Sequence, residues 1–373
     1  MRVRSELDWR TVARDPGNVL DREGVSVEPQ DLWSTPSVQP GELIFLSEAD
    51  VSRLALTDLE ILAAVEDGLR AQGLGAAKLE PRVHLEPDPA FRGHFNVLRG
   101  YVAPLELAGV KVVGDYLDNH ALGLPSELGL LTLYDVLTGM PVAILSASQL
   151  TDMRTGALTA LGARHLARPQ ARVLGHVGAR GTAYWNVRLL DHLFDFAEIR
   201  VHSRRAESRE AFARRLETGL GKPVRVTESW EECLRGADVM VEASRLESPQ
   251  PLLRTRWVEP GALVIPYGTM SAVELTLTDA MDKVVVDDWG QCRAGKFGAL
   301  RAHVDQGRLT ERTLHGELAQ IVVGERPGRE SDSERILFWH RGLATSDIAL
   351  GHALVEKARS LGIGTTLELE LEG

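Results

Sequence analysis

The chain has 373 residues, 44% hydrophobic and 25% charged, ordinary values for a folded protein that exclude wholesale disorder. Acidic residues outnumber basic ones by 53 to 42, and a formal charge of −11 repels phosphate backbones, so nucleic acid is excluded as the main partner. No apolar run reaches the roughly 18 residues of a membrane span, no apolar signal core opens the chain, and Cys233 and Cys292 are too few for a disulfide framework or a Cys-rich zinc site. A cytoplasmic protein of two domains is expected, with reduced cysteines, no metal and no membrane partner. Only six of the basic residues are lysines, so a lysine inside an apolar segment needs a reason.

Residues 1–40 are polar, carry Pro29, Pro36 and Pro40, and read as an extension. Apolar residues at helical spacing over 48–72 predict one helix, with Gly73 as its C-cap. From Pro81 to Leu145 come short runs separated by Pro and Gly: VHLEP, FNVLRGYV, GVKVVGDYL, LGLLTLYD and PVAILSA. They predict a mostly antiparallel sheet. TDMRTGALTALGARHLA, from Thr151 to Ala167, predicts a helix that leads into the next unit.

That unit alternates apolar strands with amphipathic helices, through ARVLGHVG, AEIRVHS, VRVT, DVMVEAS, GALVIPYG and KVVVDD. The alternation predicts a doubly wound parallel sheet, because parallel strands need helical crossovers. The expected fold is therefore α/β: a Rossmann-type domain over 155–329, and an α+β domain built from both chain ends, 41–154 with 330–373. The strand and long helix of RILFWHRGLATSDIALGHALVEKARSLGIG are placed in the latter.

The first strand of the parallel unit ends in Gly178, Ala179, Arg180, Gly181, Thr182 and Ala183 and runs into a helix, the context in which a glycine turn holds a pyrophosphate. Arg180 stands where the usual second glycine would be. Gly181 can supply the room in a shifted turn, with the Arg180 guanidinium on phosphate. The same residues also suit a tight turn without ligand. The next strand ends in Ser203, Arg204 and Arg205, with no carboxylate before Glu207 to accept from a ribose hydroxyl. These residues favour NADPH, with NADH as the second option; a solvated basic loop is the plainer reading.

GVKVVGDYLDNHALGLPS, LTDMRTGALTALGARHLA, the glycine turn, GADVMVEAS, WVEPGALVIPYG and GLATSDIALGHALVEKARSLGIG, in that order, resemble the ornithine cyclodeaminase and mu-crystallin family over about residues 43 to 365. The resemblance implies a homodimer joined by the outer domain, which would share the substrate site with the dinucleotide domain. It implies Lys111 as the active-site lysine, and a lysine flanked by valines also suits a desolvated amine of lowered pKa. Arg154 matches the arginine that grips a substrate α-carboxylate, Arg82 matches a second one, and Asn119 would shape the pocket. A strand lysine, a solvated arginine at Arg82 and a turn asparagine at Asn119 are the structural alternatives.

Cyclodeaminases of the family carry an acidic residue in the loop after the fifth strand of the dinucleotide domain, and aligning on Val273, Glu274 and Leu275 puts Gly268 there, with Thr269 beside it. Glycine cannot move a proton. The expectation is therefore an NAD(P)H-dependent imine reductase or amino-acid dehydrogenase acting on a small α-imino or α-amino acid. A cyclodeaminase-like lyase with recycled NAD and a non-catalytic NADP-dependent binder are the alternatives.

Overall fold

The computed structural model describes residues 41–268, 270–294 and 298–369, so the extension expected over 1–40 and Thr269 lie outside the described residues. Strand β1 (Glu42–Leu46) leads into helices α1 (Glu48–Leu54) and α2 (Asp58–Gly73). The single helix expected over 48–72 is broken at Ala55, which turns left-handed at φ 46°. Thr57 then restarts it with a capping box: its hydroxyl accepts from Glu60 N–H, and the Glu60 carboxylate accepts from Thr57 N–H. Gly73 is the last residue of α2, not its cap, and a Cβ there would lie 2.3 Å from the Ala319 carbonyl oxygen.

Strands β2 (Ala77–Leu79), β3 (Val83–Leu85), β4 (Gly93–Val102), β5 (Leu107–Tyr116), β6 (Glu127–Asp135) and β7 (Pro141–Ser146) follow. Strands β4 to β7 pair antiparallel in chain order, as the short apolar runs predicted, and β1 joins β7 in parallel. Period-two alternation divides β5: Lys111, Val113 and Asp115 are buried on the inner face, while Val112 is exposed on the outer. In register across the outer face run Val83, Val97, Val112 and Leu130, and three of them are 39–50% exposed.

Helix α3 (Ser148–Leu166) crosses into the second unit. Its glycines mark close approach: a Cβ on Gly156 would lie 2.6 Å from the Trp185 backbone, and one on Gly162 would lie 2.3 Å from the Phe338 ring. The second unit runs β8 (Val173–Val177), α4 (Ala183–Phe194), β9 (Glu198–His202), α5 (Ala206–Leu220), β10 (Arg225–Val226), α6 (Trp230–Leu234), β11 (Val239–Glu242), β12 (Leu263–Pro266) and β13 (Lys283–Val286). It continues through α7 (Trp289–Ala294), α8 (Arg301–Asp305), β14 (Gly316–Glu317), α9 (Leu318–Val322) and β15 (Ile336–Trp339). All pairs are parallel, in the order β10-β9-β8-β11-β12-β15-β13-β14. The order reverses beside β8, which makes the crevice at the carboxyl ends of β8 and β11 the topological switch point.

One placement differs from the sequence reading. Strand β15, expected with the outer domain, inserts between β12 and β13 of the parallel sheet. Its four residues are all buried, as an interior parallel strand requires. Only the next elements, α10 (Ala344–Leu361) and β16 (Thr365–Glu368), return to the outer sheet, where β16 pairs β1. Helix α10 packs on α2, β4 and β5. It sits close because a Cβ on Gly109 would lie 2.6 Å from Ile348, and one on Gly351 would lie 2.7 Å from Leu131. Among the described residues no helix is long and apolar enough to cross a membrane, and both cysteines are free and buried.

Candidate active site

Lys111 stands mid-strand in β5, its registered neighbours the buried Leu98 and Leu131. At 1% exposure its amine is cut off from bulk water. Instead Nζ donates to Asp347 Oδ1 at 2.5 Å and to Thr151 Oγ1 at 3.1 Å. Asp347 lies in the first turn of α10, and Arg154 Nε of α3 donates to the same Oδ1 at 2.9 Å. Thr151 and Arg154 are three residues apart, so one helix face presents both. A strand and two helices thus converge on one carboxylate oxygen.

Two atoms of this cluster are left over. Arg154 Nη1 and Asp347 Oδ2 are buried without a hydrogen-bond partner. Leaving such groups unpaired costs about 1–3 kcal/mol each, so they mark where a polar ligand belongs. Burial, then the neighbouring Arg154 charge, pulls the Lys111 amine down to about 7 against the opposing pull of Asp347. An amine in that range can give and take a proton near neutrality.

The connection from β15 to α10 completes the site. Gly342 has φ 87°, a conformation that other residues rarely adopt, and a Cβ on it would lie 1.4 Å from Arg154 Nη1, so a larger residue must displace the guanidinium. The N–H groups of Arg341 and Gly342 donate to Asp287 Oδ2 at 2.8 and 3.1 Å, just beyond β13. Burial pushes Asp287 up to about 7. From the outer domain, Arg82 Nη2 donates to the carbonyls of Arg341 and Gly342 at 2.6 and 3.1 Å, and its Nε to Gln291 Oε1 at 3.3 Å. Burial and the charges of Arg341 and Arg154 pull Arg82 down to about 9.

At the switch point, Gly178 takes φ 110°, and a Cβ there would lie 2.5 Å from the Ala243 carbonyl oxygen. Gly181 takes φ 55°, and Arg180 is exposed. Thr182 stands at the N-cap of the twelve-residue α4 but its side chain caps no backbone N–H; it bonds the Tyr267 hydroxyl at 2.6 Å instead. Buried Ala183 starts the helix, its N–H donating back to the Arg180 carbonyl at 3.3 Å, and the positive end of the helix dipole faces the turn. This cradle fits a pyrophosphate. Beyond the neighbouring β9, Ser203 is half-buried, and Arg204 and Arg205 are exposed.

Asn119 is not brought to Lys111. Its amide donates to the Pro125 carbonyl at 2.8 Å and closes the loop after β5, the turn role its sequence context also allowed. At Gly268, a Cβ would lie 2.6 Å from both carboxylate oxygens of Glu242, the buried last residue of β11. Glu242 accepts from Ser244 N–H at 2.8 Å and from Gly268 N–H at 3.3 Å, and burial pushes it up to about 7. Sequence reasoning missed Asp347, Thr151, Gln291 and Glu242. Asp347 did leave a signal, as the one acid in the apolar run GLATSDIALG.

The structure thus combines a parallel Rossmann-type sheet, with a glycine turn at its switch point, and an outer domain that holds the buried Lys111 beside Arg154. The sequence profile of the ornithine cyclodeaminase/mu-crystallin family matches residues 42–362, and the chain belongs to that family. It is 29% identical over 331 residues to the alanine dehydrogenase of Archaeoglobus fulgidus, covering 88% of this chain and 98% of the relative. It is 31% identical over 268 residues to a delta(1)-pyrroline-2-carboxylate reductase of Bacillus cereus, covering 71% of this chain and 81% of the relative. The solved structure of the Thermococcus litoralis delta(1)-pyrroline-2-carboxylate reductase with NADH and L-proline superposes with TM-score 0.81 at 27% identity, over 87% of this chain and 99% of that one. An archaeal alanine dehydrogenase dimer with bound NAD gives TM-score 0.80 at 28% identity, over 88% and 99%.

Gly342→Ala tests the crowding at Arg154. The added methyl must displace the guanidinium, and a shift of about 1 Å in a substrate-positioning group costs on the order of 10²-fold. The expected outcome is a loss of kcat/KM of that size with the circular dichroism spectrum retained; wild-type kcat/KM would contradict it.

Proposed function

We propose that this protein reduces the C=N bond of a small α-imino acid and, in reverse, oxidises the matching α-amino acid. It is an NAD(P)H-dependent oxidoreductase of the class acting on C=N and CH–NH bonds, as are its alanine dehydrogenase and pyrroline-2-carboxylate reductase relatives. The observation that carries the reading is the buried Lys111 amine, held at 2.5 Å by Asp347 beside the unpaired Arg154 Nη1. Arg154, with Arg82, grips the substrate α-carboxylate through a planar donor fork. That grip aims the imine nitrogen at Lys111, whose ammonium protonates it and whose free amine takes the proton back in the oxidative direction. Asp347 and Thr151 orient the amine. The cradle of Gly178, Arg180, Gly181, Thr182 and Ala183 holds the dinucleotide, which when bound supplies the hydride chemistry. Ser203, Arg204 and Arg205 favour a 2′-phosphate, hence NADPH over NADH.

Cyclisation with recycled NAD needs a carboxylate at position 268, and the Glu242 carboxyl beside it is already engaged by Ser244 and Gly268. A non-catalytic binder has no use for a desolvated amine. The apolar row Val83, Val97, Val112 and Leu130 supports a homodimer through the outer sheet.

Lys111→Met removes the proton donor at similar length, and turnover should fall by about 10²–10⁴-fold while dinucleotide affinity holds. Near-normal turnover would refute the role. Reduction requires the ammonium, so in wild type its kcat/KM should fall as pH rises through about 7, while amino-acid oxidation rises. Arg204→Ala should weaken NADPH binding and spare NADH in equilibrium titrations; tighter NADH than NADPH binding by wild type would overturn the cofactor preference. Sedimentation at micromolar concentration should give a dimer, and a monomer would exclude the outer-face interface.

A further inference from the structure

From the glycine turn a chain of polar side chains runs into the protein and back, and the proposed reaction makes no use of it. It begins where His176 Nδ1 lies 3.0 Å from the Gly178 carbonyl oxygen. His176 Nε2 lies 3.1 Å from Asn186 Nδ2, and the same Nδ2 reaches the Tyr267 hydroxyl. That hydroxyl returns to the turn, 2.6 Å from Thr182 Oγ1. On its other side, Asn186 Oδ1 accepts from Thr159 Oγ1 at 3.1 Å. His176, Asn186 and Thr159 are wholly buried, so their donors and acceptors have to match within the protein.

That matching fixes the direction of each bond between the two ends of the turn. A carbonyl only accepts, so His176 Nδ1 carries a proton. Burial pulls His176 down to about 4, which leaves the ring neutral and its Nε2 a bare acceptor. Asn186 therefore presents its NH2 group to His176 and its oxygen to the Thr159 hydroxyl, while the second N–H goes to the Tyr267 oxygen. Burial holds the Tyr267 phenol above its usual value, so it keeps its proton. An amide NH2 cannot accept that proton, and among the described residues the phenol's other partner is Thr182 Oγ1. Tyr267 thus donates to Thr182. The Thr182 proton is left with no acceptor among the described residues, and its side chain caps no backbone N–H.

Resting on the reading that the cradle binds the dinucleotide, we propose that Tyr267 is a positioning residue: by donating to Thr182 Oγ1 it turns the Thr182 proton outward, as a donor to the pyrophosphate. Asn186 and His176 stand behind it and hold the phenol in the donating sense. Without the phenol, the Thr182 hydroxyl has several staggered orientations open to it, and ordering one of them weakens binding.

The test is equilibrium titration of the intact protein with NADPH or NADH, whichever wild type binds more tightly, and with ADP-ribose, which keeps the pyrophosphate and lacks the nicotinamide. Thr182→Val should weaken both ligands by about 10- to 100-fold, the range of a hydrogen bond to a charged group, and Thr182→Ser should bind like wild type. Tyr267→Phe should weaken both by about 3- to 10-fold in the wild-type background and no further in Thr182→Val, because the phenol acts through that hydroxyl alone. No effect of Tyr267→Phe, or an equal effect in the two backgrounds as a merely structural role would give, overturns the inference. Wild-type affinity in Thr182→Val also overturns it and needs no change at Tyr267, as does a loss confined to the nicotinamide ligand with ADP-ribose unaffected. Failure of wild type to bind any of these nucleotides overturns the cradle reading and the inference with it.

Discussion

The Asp347 carboxylate is the joint on which the site is assembled. One oxygen, Oδ1, takes both the Lys111 ammonium and the Arg154 guanidinium, and all three side chains are almost wholly buried. Charges so enclosed are tolerable only together: removing one partner of a buried pair typically costs about 3–5 kcal/mol, because the others are left desolvated and unmatched. The three residues come from β5, α3 and α10, so the carboxylate also fixes how a strand from the first part of the chain meets a helix from its last part. Gly109 and Gly351 make that meeting possible by letting α10 lie against the sheet without intervening side chains.

The second constraint is where the chain crosses between units. Strand β15 belongs to the parallel sheet and α10 to the outer domain, so residues 340–343 form the crossover. Asp287 holds the crossover from the parallel-sheet side, and Arg82 holds it from the outer side. Gly342 at its centre passes so close to Arg154 that the arginine has one place to go. The substrate-binding groups are thus set by backbone geometry at a domain junction, which is a rigid way to fix a carboxylate clamp.

Much of this was legible in the sequence, for identifiable reasons. The antiparallel strands announce themselves by apolar runs cut by Pro and Gly, and the parallel ones by alternation with helices. Lys111 stood out because lysine is rare here and valines flank it. What stayed hidden depends on pairing at long range. Nothing local in ILFW says that it enters the sheet between β12 and β13, and nothing in Gln291 says that it meets Arg82, 209 residues earlier. Asn119 kept both of its readings, because its amide bonds Pro125 in the turn while the residue also lines a cavity with Phe91, Tyr116 and Leu122. Glu242 became visible only once two strand ends were placed side by side, where Gly268 leaves room for its carboxyl.

The most direct measurement is the titration of Lys111 itself. With six lysines in the chain, a ¹³Cε-lysine NMR titration can follow each amine, and Lys111→Met assigns the resonance in question. The account predicts that this resonance titrates near pH 7, and that Asp347→Asn moves it lower by removing the charge that favours the ammonium. A Lys111 amine that titrates at about 10, like a solvated lysine, would contradict the buried proton carrier on which the account rests.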